Sequence, residues 1–120
     1  MELEKKLKDV AAATDKINET INKISGYIKR TESALRAMKT NLPFRKKIFA
    51  EGDKTYYLAW EEDQHKNFRF MLLEKVGDDC LFRPFIECKV YERMKFIGFV
   101  DGFVEGFTDY LNKLNEDLNA

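Results

Sequence analysis

The first third of the chain carries an apolar residue or a threonine at alternating steps of three and four residues. This spacing keeps one stripe of an α-helix facing partner helices, and here it continues unbroken. The heptad positions are Leu3, Leu7, Val10, Thr14, Ile17, Ile21, Ile24, Ile28, Thr31, Leu35, Met38 and Leu42. Pro43 disfavours the helical conformation in the residue before it. We therefore predict one long N-terminal helix over residues 1–42 that packs on other helices.

Isoleucine occupies both kinds of core position in the middle of this helix, which favours assemblies of three or four strands over a parallel dimer. The flanking positions hold small residues, including Ala11, Ala13 and Ala34, where a two-stranded coiled coil more often carries Glu and Lys. The residues expected at the centre of the oligomer seam are Ile17, Ile21, Ile24, Ile28 and Leu35. We predict a homo-oligomer, either a dimer that forms a four-helix bundle or a trimer or tetramer.

Beyond the proline, the apolar period changes from helical spacing to alternation, which is typical of β-strands. The predicted strands cover residues 44–50, 55–62, 68–76 and 81–88. The turns between them contain Gly52, the polar run 63–67 and Gly77. Connections this short join antiparallel neighbours, so the sheet should be a meander. Pro84 has no N–H to donate, and it places the fourth strand at an edge.

Helical spacing returns from about Val90 to Leu118. An apolar seam expected to face another helix consists of Ile97, Val100, Val104, Phe107, Leu111, Leu114 and Leu118. An aromatic flank expected to face the sheet consists of Phe96, Phe99, Phe103 and Tyr110. Beside that flank, glycine recurs every four residues from Gly98 to Gly106, which predicts close packing against another backbone.

These elements predict an α+β fold in the order α-β-β-β-β-α. It combines a long N-terminal heptad helix, a four-stranded antiparallel meander sheet and a C-terminal amphipathic helix. Residues 1–42 should form the coiled-coil or bundle helix. Residues 43–120 should form one compact unit of meander and helix. The order and size are similar to those of small phage or bacterial accessory proteins.

The 21 basic and 21 acidic side chains cancel, which argues against a general polyanion binder. The charges are segregated, however. Seven bases and a single acid lie in residues 29–47, whereas five acids and a single base lie in residues 101–120. Free Cys80 and Cys88, together with an N-terminus that lacks the apolar core of a signal peptide, predict a cytoplasmic protein that does not enter a membrane.

Candidate chemistry is sparse. His65 is the single histidine and lies in a polar loop, where a solvated turn residue is the expected role. The carboxylates of residues 61–63 and 78–79 occupy turns and should point apart. Cys88 is expected to be a small buried hydrophobic residue. We therefore predict no catalytic, cofactor-binding or metal-ligating residues, and no enzyme activity.

One face of the sheet should be basic and aromatic. The residues assigned to it are Arg45, Lys47, Tyr57, Arg69, Arg83 and Phe85. Such a face can stack bases and hold phosphates, or it can be covered by another subunit. Two functions follow from the sequence. The first is a non-catalytic, homo-oligomeric protein-interaction module, such as an inhibitor or adaptor that binds a protein partner. The alternative is an anion, nucleotide or nucleic-acid binding module that uses this face.

Overall fold

A computed structural model describes all 120 residues. Three α-helices and four strands follow in the order α1, β1, β2, β3, β4, α2, α3. Their bounds are α1 Glu2–Ala37, β1 Phe44–Glu51, β2 Lys54–Glu62, β3 Phe68–Val76, β4 Asp79–Pro84, α2 Val90–Phe96 and α3 Val100–Leu118. The predicted α+β architecture, with a long N-terminal helix, a four-stranded antiparallel sheet and a C-terminal helix, is confirmed.

Helix α1 is one continuous helix of 36 residues. It ends at Ala37 and not at the predicted residue 42, and Lys39 just beyond it adopts the left-handed conformation (φ 53°) that commonly closes a helix. Only its second half carries buried side chains, which are those of Ile28, Glu32 and Leu35. The first half is exposed throughout residues 2–20 and stands free of the rest of the molecule, whose longest dimension is 74 Å. No other helix packs along this first half, so the coiled-coil partner that its heptads predict is not seen within one chain.

The four strands pair in sequence order and antiparallel, as the short connections predict. Two of the turns depend on glycine in the left-handed region, Gly52 (φ 61°) and Gly77 (φ 60°). The first pairing contains a bulge between Lys47 and Phe49. Trp60 pairs with Phe44 on one side and with Phe70 on the other, so these three side chains share one face.

The fourth strand is shorter than predicted. It ends at Pro84 and not at Cys88, and a turn of 3-10 helix over Phe85–Glu87 follows it. Because proline cannot continue the ladder of hydrogen bonds, the chain leaves the sheet there and Phe85 inserts into the core with no exposed surface. The alternation of buried and exposed side chains predicted over residues 81–88 therefore holds only as far as residue 84.

The second predicted helix is broken in two. A turn of 3-10 helix over Ile97–Phe99 separates α2 from α3. The buried face also differs from both predicted stripes, because it combines Phe96, Val100, Phe103 and Phe107. Val104 and Leu118 of the predicted seam remain exposed. The glycine stripe of α3 does not meet another backbone, since the nearest side chains to Gly102 and Gly106 are those of Lys46 and Phe44.

The core lies between one face of the sheet and the helices. It joins Ile28 and Leu35 of α1 to the buried face of α2 and α3 and to the Leu58, Trp60, Phe70 and Leu72 side chains of the sheet. Aromatic contacts connect these layers, including Phe70 against Phe85 (centroids 5.5 Å apart) and Phe44 against Phe107 (5.1 Å). The compact unit therefore includes the second half of α1 as well as the meander and its helices.

Candidate functional site

An exposed apolar stripe runs along the first half of α1. We call it the N-terminal stripe, and it consists of Leu3, Leu7, Val10, Thr14 and Ile17. Its four aliphatic side chains are between 42% and 60% exposed. The hydroxyl of Thr14 donates to the Val10 carbonyl (2.8 Å), so burial of this threonine would leave no polar hydrogen unpaired. A contiguous exposed apolar stripe of this kind is a candidate interaction surface.

The charges beside the N-terminal stripe nearly cancel. Residues 2–20 contain the five acids Glu2, Glu4, Asp9, Asp15 and Glu19 and the four bases Lys5, Lys6, Lys8 and Lys16. A second copy of this helix therefore meets little net repulsion. The small side chains of Ala11 and Ala13 flank the stripe and allow close approach of a neighbouring helix.

The five residues predicted for the oligomer seam divide into two groups. Ile17 is exposed and Ile21 is half-buried. Ile24 packs against the core of its own chain, and Ile28 and Leu35 belong to that core. Since Ile28 and Leu35 are buried by the sheet and helices of one chain, they have no surface left for a second copy. The part of the heptad pattern that remains free lies N-terminal to residue 21.

The sheet face opposite the helices, here called the open face, carries Arg45, Lys47 and Tyr57 as predicted. Arg45 is held by Glu61 through Nε (2.5 Å) and Nη2 (3.1 Å). Its guanidinium also lies 4.9 Å from the centre of the Phe82 ring. The hydrogen bonds to Glu61 raise the pKa of Arg45. The charge of this arginine is thus already balanced within the chain.

Arg83 and Phe85 do not lie on the open face, so that prediction is wrong. Arg83 lies under the helices, where it makes a two-pronged ion pair with Glu92 (2.8 and 2.6 Å) and approaches Glu74 at 3.8 Å. Burial alone would raise the pKa of Glu92, but the hydrogen bonds and charge of Arg83 bring it below its ordinary value. The carboxylates of Glu92 and Glu74 offset the cost of burying this arginine. The spacing of apolar residues in the sequence does not show that these partners are close to it.

Arg69 reaches from the start of β3 to the end of α1. Its Nε donates to buried Glu32 (3.1 Å), which also accepts the backbone N–H of Phe70 (2.7 Å). There it helps to line a cleft of about 530 Å³ between the end of α1 and the β2–β3 loop. We call this the basic cleft, and its cations are Arg36, Lys39, Lys66 and Arg69.

Three of these cations, Arg36, Lys39 and Lys66, lie outside the binding face predicted from the sequence. Arg36 and Lys39 fall in the basic run of residues 29–47, which was the one available signal. Lys66 lies in a loop between two strands, and nothing in the sequence indicates that this loop folds beside the end of α1. The cleft therefore arises from tertiary structure.

The remaining titratable residues form no evident reaction centre. His65 is exposed, and its backbone N–H donates to Asp63 (2.8 Å). Cys88 is buried and its thiol donates to the Pro84 carbonyl (3.4 Å), while Cys80 is exposed. No group of three or more His, Cys, Asp or Glu side chains is placed to hold a metal ion.

Comparison of the chain with protein-family models, with curated protein sequences and with solved structures gave no match. None of the helices combines the length and the apolar character needed to span a bilayer. The functional interpretation therefore depends on the surfaces described above.

Proposed function

We propose that this protein is a non-catalytic, homo-oligomeric interaction module whose copies associate through the N-terminal stripe. The observation that carries the proposal is the exposure of Leu3, Leu7, Val10 and Ile17 on a helix whose later heptad positions are buried. The same heptad pattern covers both halves of α1, and only one half has found its packing partner within the chain.

The energy of association can be bounded. Burying a half-exposed aliphatic side chain contributes about 1–2 kcal/mol. A dimer would bury eight such side chains, which amounts to about 8–16 kcal/mol. Association costs about 4–15 kcal/mol in lost freedom, so the two quantities are similar in size. We therefore expect a reversible assembly that responds to protein concentration, with a higher order favoured by the small flanking residues.

An assembly of this kind displays several copies of the compact unit. Each copy then offers its surface to a partner at a high effective concentration, as in adaptors and inhibitors that act through avidity. The alternative use of the basic-aromatic sheet face as an anion site has less support, because Glu61 and Glu92 neutralise Arg45 and Arg83 and because Arg69 lines the basic cleft instead.

The test compares two aspartate substitutions two residues apart on α1. Val10→Asp places a charge in the N-terminal stripe, and Ala12→Asp places the same charge on the far side of the helix. Both positions are exposed within a single chain, so neither variant should unfold the compact unit. Sedimentation equilibrium should show a wild-type mass that rises with concentration to a multiple of 14.2 kDa.

Val10→Asp should weaken association by about a hundredfold, since it buries an unpaired carboxylate in the interface. Ala12→Asp should associate like the wild type. A wild-type protein that stays at 14.2 kDa over the whole concentration range would contradict the proposal. Equal weakening by both variants would contradict the assignment to the stripe.

A further inference from the structure

We propose that the basic cleft is a binding site for a small molecule that carries a phosphate group. The cleft lies on the compact unit, away from the N-terminal stripe, so this inference is independent of self-association. Its volume of about 530 Å³ lies within the range of small-molecule sites. Eight of its ten lining residues are polar or charged, which suits a charged ligand.

The charges in the cleft are unequal in sign. Lys39 and Lys66 make no ion pair, so both ammonium groups are free to meet a ligand. Arg36 (3.5 Å) and Arg69 (3.1 Å) share the carboxylate of Glu32. Four cations therefore line the cleft with one acid, Asp63 of the β2–β3 loop, and Glu32 pairs with two of these cations from outside the lining. Glu87, 3.5 Å from Arg69, is largely exposed and lies outside the cleft lining.

The two acids are already committed to the protein. Glu32 accepts the Phe70 N–H as well as Arg69, and Asp63 accepts the backbone N–H groups of Asn67 (3.0 Å) and His65 (2.8 Å). These hydrogen bonds hold the pKa of Asp63 below its usual value, and the bond from Asn67 has the larger effect. Glu32 in turn fixes the guanidinium of Arg69 beside the cleft. A preorganised arginine together with lysines that have no ion pair is an arrangement that suits phosphate.

The backbone at both free lysines is unusual. Lys39 (φ 53°) and Lys66 (φ 64°) are the only residues other than glycine with positive φ in the chain, and both line this cleft. Glycine or asparagine adopts this conformation at lower energetic cost. Cations at the end of α1 are favoured by the helix dipole, but that reason does not apply to Lys66 in its hairpin loop. Left-handed backbone at two lysines that line the same cleft carries an energetic cost that a shared ligand would offset.

The phosphate group, and not an aromatic base, should be what the cleft recognises. The indole of Trp60 forms part of the wall but is only 1% exposed, and its N–H donates to the Thr40 carbonyl (2.7 Å). The ring therefore offers no open face for stacking. Phe68, the other aromatic residue of the lining, is half-buried and already stacks on Trp60 (centroids 5.8 Å apart). A net charge of zero for the chain also disfavours a long polyanion. These features favour a compact phosphate ester or pyrophosphate.

The experiment uses the fluorescence of Trp60, the single tryptophan of the chain, as the reporter. The full-length protein is titrated at low ionic strength with sodium pyrophosphate, AMP and adenosine. We expect pyrophosphate and AMP to bind, with affinities that fall as salt is added, and adenosine not to bind. A preference for AMP would point to a nucleotide source of the phosphate, and a preference for pyrophosphate to an inorganic one.

The decisive variant is Lys39→Asn/Lys66→Asn. It should lower the affinity for pyrophosphate by about tenfold or more, since two charge-assisted contacts are lost. Its urea midpoint should equal or exceed that of the wild type, because asparagine tolerates positive φ. The matched control is Lys23→Asn/Lys113→Asn, which removes the same charge from exposed helix positions and should bind within about twofold of the wild type. Lys66→Gly alone removes one free cation at a position where glycine fits the backbone, and it should lower affinity while retaining the fold.

The absence of pyrophosphate and AMP binding at low salt would overturn the proposal, as would equal affinities for the wild type and Lys39→Asn/Lys66→Asn. Binding of adenosine as tight as that of AMP, or binding confined to a single-stranded oligonucleotide, would overturn it as well. A loss of affinity in the control as large as that in the cleft variant would also overturn it, because the attraction would then be a property of net charge.

Discussion

At the scale of single residues, Glu32 connects the long helix to the sheet. It is one of only two charged residues that are buried, and it accepts the Phe70 N–H at 2.7 Å and the Arg69 Nε at 3.1 Å. The sequence shows only a glutamate beside the heptad stripe. Because its partners lie 37 and 38 residues later, nothing local distinguishes it from the exposed glutamates of the same helix.

Replacing Glu32 should therefore be costly. Glu32→Ala leaves a backbone N–H unpaired and Arg69 without its main partner, and it should lower the free energy of unfolding by about 2–4 kcal/mol. Glu32→Gln keeps an acceptor for the Phe70 N–H and should lose less. Urea unfolding followed by Trp60 fluorescence measures both. Glu19→Ala, on the exposed half of α1, is the control and should change stability by less than about 0.5 kcal/mol.

Cys88 should make the protein sensitive to alkali. Burial raises the pKa of its thiol from 9.0 to about 11. The unfolded chain therefore loses this proton at a lower pH than the folded one, so the stabilisation is complete below pH 9 and is lost as the pH rises to about 11. Between these values the wild type should lose about 2–3 kcal/mol more than Cys88→Ala. Urea unfolding at several pH values, with a reducing agent present, gives the free energy of unfolding of both proteins as a function of pH. If this free energy falls equally steeply with pH in the wild type and in Cys88→Ala, the prediction is refuted.

The residue pattern correctly predicted that Cys88 is buried and that Arg45, Lys47 and Tyr57 lie on the open face. It assigned Arg83 and Phe85 to the wrong face. Alternation assigns a face only as long as the strand continues, and β4 ends at Pro84. Arg83 is on the buried side because Glu92 and Glu74 neutralise it there, and those carboxylates come from other elements. The face that a charged side chain occupies depends on its oppositely charged partners, and the hydrophobic pattern of the sequence does not identify them.

At the scale of elements, the heptads predicted the existence of α1 but not the surfaces that its two halves meet. The heptad positions of α1 carry chemically similar residues along the whole helix. Its second half packs on the sheet through Ile28 and Leu35, and its first half remains exposed. The difference arises from the limited size of the sheet, which covers only part of a helix of 36 residues.

The break between α2 and α3 allows a comparison of two glycines. Gly98 lies in the 3-10 turn, and a methyl group added there would meet nothing within 4 Å. Gly98→Ala should therefore stabilise the fold by about 0.5–1 kcal/mol. At Gly106 the same methyl would lie 3.3 Å from Lys46 Cδ and 3.4 Å from Phe44 Cζ, so the gain should be cancelled or reversed.

Thermal unfolding of the two alanine variants decides the matter. Gly98→Ala should melt above the wild type, and Gly106→Ala should melt at or below it. The opposite order would show that Gly98 is required by the break and that α3 has room beside Lys46.

At the scale of the whole molecule, element order and strand topology could be predicted because periodicity and turn residues act locally. Sites that depend on convergence could not. The basic cleft combines the end of α1 with a loop about 25 residues further along the chain, and only the finished fold brings them together. The residues of the N-terminal stripe are contiguous on one helix and all occupy predicted heptad positions, but the seam predicted from the sequence was centred further along α1 and shares only Ile17 with the stripe.

The freedom of the first half of α1 gives a prediction for the molecule as a whole. Residues 2–20 contain no buried side chain, whereas the core draws on α1 only from Ile24 onward. A variant that lacks residues 2–20 should therefore fold, with a dilute-solution stability within about 1 kcal/mol of the full-length chain, and it should sediment as a monomer. Because association stabilises the folded state by mass action, the urea midpoint of the full-length protein should rise with protein concentration, and that of the shortened variant should stay constant. Equilibrium unfolding at two concentrations a hundredfold apart, followed by Trp60 fluorescence, measures both midpoints. A shortened variant that fails to fold would show that the compact unit needs the free half of α1, and midpoints that shift equally would place the association surface elsewhere.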